Sequence, residues 1–102
     1  MYNIVITQKR FFQTLKALPY IEKIILYGSR ARGDARERSD IDLAIVAPHA
    51  HPSDWLAVID ILDEADTLLK IDSIRYDALP TDSPLKMAID NEGVILYDSK
   101  HR

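Results

Sequence analysis

The chain has 102 residues, 47% of them hydrophobic, no cysteine and a formal net charge of −3. This is enough for one domain, 1–102, that buries roughly 60–65% of its unfolded surface, and it excludes disulfides, zinc–thiolate sites and thiol nucleophiles. The acidic balance argues against wholesale binding to long nucleic acid. No apolar run approaches the ~20 residues of a membrane span. The basic residues of MYNIVITQKR follow its apolar stretch, the reverse of a secretory leader, so a cytoplasmic location is expected.

In chain order, Thr7 is placed to cap a helix carrying Phe11, Phe12, Leu15 and Leu18 on one face and ended by Pro19. EKIILY, 22–27, reads as a short strand stopped by Gly28, and DIDLAIV, 40–46, as a second strand. Pro48 and Pro52 bracket a loop, after which Ser53 can cap a helix reaching to about Leu69. Its apolar stripe is Trp55, Val58, Ile59, Leu62, Ala65 and Leu69. Ile61 and Leu68 widen that surface, which points to an interface with another copy or another protein. IDSIRY, 71–76, reads as a third strand. Ser83-Pro84 opens a helix closed by Gly93, and VILYD, 94–98, is the last strand.

Strands separated by helices imply an α/β (α+β) fold, a small mixed sheet with helices packed over it. A long helix joins the second and third strands, so they should run parallel through a right-handed crossover. Their N-terminal ends then share one edge of the sheet, with Asp40, Asp42 and Asp72. If the first strand runs antiparallel to the second, its C-terminal Gly28-Ser29 reaches the same edge.

Those residue types suit a particular chemistry. Asp40 and Asp42, two apart on a strand, face the same way. Like charges held close need a proton or a cation, and hard oxygen donors suit Mg²⁺, which binds through one or two carboxylates plus substrate phosphates. Asp72 on the neighbouring strand can share a second metal. Asp77 is the competing third carboxylate, disfavoured by distance and strand parity. Glycine at 28 lets backbone approach a phosphate, Ser29 offers a hydroxyl, and the amides that follow can face an anion. Arg30 and Arg32 can make charge-assisted bonds to a polyphosphate. Arg36 and Arg38 read as surface ion-pair partners, and His49 and His51 as exposed loop residues rather than ligands.

GSRARG followed by SDIDLAIV resembles the nucleotidyltransferase signature of the DNA polymerase β superfamily: Gly-Ser, a spacer containing glycine, then Asp-x-Asp inside a strand. KIDSIRY places Asp72 where that superfamily has its third carboxylate, and DNEGVILYD is similar to the ending of its minimal nucleotidyltransferases. The resemblance spans nearly the whole chain. It implies a polymerase β-like core in which Asp40, Asp42 and Asp72 hold two Mg²⁺ ions and are catalytic. Gly28, Ser29, Arg30, Arg32 and Ser39 would then bind a nucleoside triphosphate, with ATP the expected one; Ser39 has a turn cap as its alternative reading. It further implies a partner, a small helical HEPN ribonuclease toxin, neutralised by transfer of AMP to a tyrosine hydroxyl. Two alternatives are an antitoxin that blocks the toxin by contact alone, and a transferase acting on a small molecule of the antibiotic type.

Overall fold

The structure, a computed structural model, describes residues 6–101. It contains α1 (Arg10–Ala17), β1 (Lys23–Tyr27), a single-turn α2 (Ser29–Arg32), β2 (Ile41–Val46), α3 (Pro52–Asp63), β3 (Ile71–Arg75), α4 (Pro84–Glu92) and β4 (Val94–Asp98). Short 3₁₀ turns follow β3 and β4. The strands form one mixed sheet in the order β3-β2-β1-β4. β2 is parallel to β3, as their long connection implied, and β1 is antiparallel to both β2 and β4, the orientation of β1 and β2 that the sequence had left open. No helix among the described residues is long and apolar enough to cross a membrane.

Helices cover one face of the sheet fully and the other in part. The alternation of β2 sends Ile41, Leu43 and Ile45 to one face, where they join Phe11, Phe12 and Leu15 of α1 and Val58 and Leu62 of α3. Ala44 points the other way and packs with Ile25 of β1 and Ile89 of α4. This second face is covered only in part, and its open end holds Asp42 and Asp72.

The helix termini differ from the sequence reading in three places. Thr7 lies in a helical turn at 6–8 rather than at a cap. α1 begins at Arg10, and its first amides donate instead to a residue far along the chain: Arg10 N and Phe11 N reach the Asp66 carboxylate, 56 and 55 positions away, at 2.9 and 3.0 Å. α3 starts at Pro52 after an N-cap at His51, not Ser53, and Asp54 accepts from His51 N at 2.9 Å. It stops at Asp63, six residues short of Leu69. Beyond that point Asp66 serves α1 and Thr67 Oγ1 accepts from Leu69 N, so polar contacts override the helical periodicity. Ala65 and Leu69 still reach the core, Ile61 packs against it, and Ile59 lies at the exposed rim.

Asp66 gives these contacts a pH signature. The two amide donors hold its carboxyl below the ordinary range, so its stabilising effect is present at neutral pH and is lost as pH falls through its lowered pKa. Asp66→Ala is expected to lower the melting temperature at pH 7. Thermal scans down the acid limb should show the gap from wild type closing.

Candidate active site

The site begins with backbone. β1 ends at Tyr27, and Gly28 turns the chain with φ 75° and ψ −154°, a region open essentially to glycine alone. A Cβ at Gly28 would overlap the Asp42 carboxylate, whose Cγ lies 3.3 Å from its ideal position. Glycine thus allows the strand end and the acid to touch. Ser29 opens α2, whose turn is closed by Ala31 N and Arg32 N donating to Gly28 O.

Sheet register supplies the rest. Tyr27 lies opposite Asp42 on one side, and Asp72 lies opposite Asp42 on the other. The three therefore form a row across β1, β2 and β3 on one face. The Asp42 carboxyl is pushed up first by burial, then by Asp72 and by Asp40, while Arg32 and Arg30 pull it down. Tyr27 is pushed up by burial and by the two carboxylates Asp42 and Asp72. The predicted convergence of Asp40, Asp42, Asp72 and the Gly28-Ser29 turn is thus present in the fold. Asp77 lies elsewhere: its carboxylate accepts from Ala47 N at 2.6 Å, beyond the opposite end of β2.

The arginines divide. Arg30 is only 5% exposed, and its guanidinium turns inward. Nε donates to Ser39 O at 3.2 Å and Asp40 O at 3.3 Å; Nη2 donates to Ser39 O at 2.6 Å and Glu37 O at 3.2 Å. It braces the loop that delivers Asp40, where the sequence suggested a phosphate ligand. Ser39 takes its alternative reading, with Oγ accepting from Arg36 N at 2.8 Å to close that turn. Arg32 is exposed and ion-paired with Asp34 at 3.2 Å and with Glu92 of α4 at 3.4 Å.

Replacing Arg30 by Met would leave those carbonyls without their donor. With charged hydrogen bonds worth about 1.5–3 kcal/mol, a loss of about 2 kcal/mol in urea unfolding is expected, together with faster amide exchange at 37–40.

Sequence reasoning missed Lys70. It pairs with Asp72 at 3.5 Å, and the signal was available, since positions two apart on a strand share a face. Among the described residues no three His, Cys, Asp or Glu side chains are gathered tightly enough to hold a metal by themselves. The donor set nevertheless fits Mg²⁺ in its usual mode, in which carboxylates supply one or two ligands and substrate phosphates complete the shell.

Comparison with known proteins places this geometry. Residues 9–102 match the family model "Polymerase beta, Nucleotidyltransferase". A search of curated proteins gives no match. Among solved structures, the chain is similar to a toxin–antitoxin with AMP-PNP, at 20% identity and TM-score 0.60, covering 97% of this chain and 73% of that one. A mutant of the toxin–antitoxin MntA-HpeT matches at 20% identity and TM-score 0.61, covering 98% and 74%. A nucleotidyltransferase described as putative from Sulfolobus solfataricus matches at 20% identity and TM-score 0.55, covering 98% and 79%. At such identities the structural matches establish the shared fold. With a family model matched over 94 of 102 residues, 9 through 102, the chain belongs to the polymerase β nucleotidyltransferase family.

Proposed function

We propose that the protein transfers the AMP of ATP to a hydroxyl on a partner protein, a tyrosine of a HEPN ribonuclease toxin, and thereby neutralises it. The observation that carries this reading is the row Tyr27–Asp42–Asp72, with Asp42 in contact with the Gly28-Ser29 turn. The likeness to a toxin–antitoxin with AMP-PNP supports both the nucleotide and the kind of partner.

Asp40 and Asp42 would hold one Mg²⁺, and Asp42 with Asp72 a second, which would supply neutralisation of triphosphate charge and polarisation of the α-phosphoryl group. The Gly28-Ser29 turn would lie against the triphosphate, its glycine admitting close approach of the phosphates. Arg32, exposed just after the glycine turn, can follow the leaving pyrophosphate once it gives up Asp34 and Glu92. The acceptor oxygen forms a bond to the α-phosphorus as the bond to the pyrophosphate oxygen breaks. Its proton passes to Asp72, which must first release Lys70. A free tyrosine hydroxyl has a pKa of ~10, so proton removal is a required part of the step.

One observation favours a second reading, a binding module that blocks its partner by contact: the third carboxylate is engaged by Lys70. Intact-mass spectrometry separates the two. The chain is mixed with the product of its neighbouring gene, Mg²⁺ and each nucleoside triphosphate in turn. Gain of adenylyl mass on a tyrosine, absent with Asp42→Asn, supports transfer. Neutralisation without any adduct, undiminished in Asp42→Asn, establishes the binding module.

A further inference from the structure

The largest cavity among those described is an open groove of about 1160 Å³, away from the Gly28-Ser29 turn. Its walls are the loop 37–40, the segment 65–70 and Lys9. It touches the carboxylate cluster at two points, Asp40 on one wall and Lys70, the partner of Asp72, on the other. We propose that this groove docks the acceptor: an acidic polypeptide segment of the partner protein whose hydroxyl side chain is carried to Asp40 and Asp72. The proposal rests on the transferase reading above and adds the surface and chemistry that select the substrate.

Position is the first support. Across this end of the sheet the order is Asp72 on β3, Asp42 on β2 and Tyr27-Gly28 on β1. The groove approaches from the β3 side and the glycine turn lies on the β1 side. Phosphoryl transfer needs attacking and leaving oxygens roughly in line, and two approaches from opposite sides of Asp42 provide that. Size is the second. The volume exceeds the 300–1,000 Å³ of ordinary small-ligand pockets, which suits several residues of chain.

Charge is the third support. Three cations, Lys9, Arg38 and Lys70, line the groove. Its acids are Glu37, Asp40 and Asp66. Asp66 is hydrogen-bonded to the amides of α1 and attracted by Lys9, and Asp40 belongs to the carboxylate site, which leaves Arg38 and Lys70 over Glu37. Neither Lys9 nor Arg38 forms an ion pair among the described residues. Leu68 stands fully exposed on the wall, an apolar contact that nothing in the described fold uses. A segment with acidic residues around one hydroxyl and one apolar side chain complements this lining.

The test uses the whole chain with fluorescein-labelled decapeptides: tyrosine flanked by glutamates and a leucine, the same with lysines for glutamates, and the acidic one with phenylalanine for tyrosine. A labelled oligoadenylate is the fourth probe. Anisotropy should show both acidic peptides binding and the basic peptide and oligoadenylate not. Binding should weaken at least tenfold in Arg38→Glu and in Leu68→Ser. AMP transfer should occur only to the acidic tyrosine peptide, with its KM raised in those variants. Equal binding of acidic and basic peptides, preference for the oligoadenylate, or affinity unchanged in both variants would overturn the groove assignment. Variant-sensitive peptide binding without transfer to any acceptor would leave the groove standing and remove the transferase.

Discussion

Asp42→Asn is expected to reduce AMP transfer by on the order of 10³-fold and, at neutral pH, to make the protein more stable. The two effects share a cause. Asp42 is half-buried beside Asp72 and Asp40, and its carboxyl is pushed above the ordinary value of 3.8. A carboxylate whose folded pKa is raised binds its proton more tightly in the native state, so stability falls as pH rises from the unfolded pKa through the folded one. Above that window the ionised acid opposes the fold; an amide of the same shape does not. The melting temperature of Asp42→Asn should exceed that of wild type at pH 7 and meet it near pH 3. Saturating Mg²⁺ and ATP should stabilise wild type alone, because only the carboxylate gains from the cation. A lower melting temperature at pH 7 would mean that Asp42 supports the structure rather than the chemistry.

The second large effect is expected at Gly28. Gly28→Ala places a β-carbon in a backbone region that costs about 1–3 kcal/mol for such a residue, and drives it into the Asp42 carboxylate. The acid must swing away or the strand end must shift, so transfer should fall along with stability in urea unfolding. Gly33 is the matched control. It too has a positive φ, 86°, but in the left-handed helical region, and nothing lies within 4 Å of its ideal Cβ position. Gly33→Ala is expected to cost about 1–2 kcal/mol with transfer retained. Equal loss of transfer in both variants would show that general strain, not contact with Asp42, is what Gly28 relieves.

The fold was readable where one physical constraint dominated. KIILY and IDLAIV are too short and too rich in branched side chains to be helices, and the turns at Gly28 and Pro48 delimit them. Parallel pairing of β2 with β3 followed from the length of the crossover, and that choice alone brought Asp72 beside Asp42. Ser83 and Pro84 marked the start of α4 correctly, Ser83 Oγ accepting from Lys86 N. What the sequence hid are contacts between distant segments. Nothing local distinguishes Asp66 from any loop acid, yet its carboxylate caps α1. The same holds for Arg30: motif spacing names an arginine after Gly-Ser, but its direction depends on the carbonyls of 37–40 folding back over it. Side-chain direction, unlike strand register, is decided by what arrives from elsewhere in the chain.

The most direct measurement is a crystal of the chain grown with Mn²⁺ and a non-hydrolysable ATP analogue, with anomalous scattering recorded at the manganese edge. The expected result is manganese bonded to Asp42 and to Asp40 or Asp72, with triphosphate against Gly28-Ser29 and Lys70 turned away from Asp72. Nucleotide seated elsewhere, or manganese bound without Asp42, would show that these carboxylates are not the site of transfer.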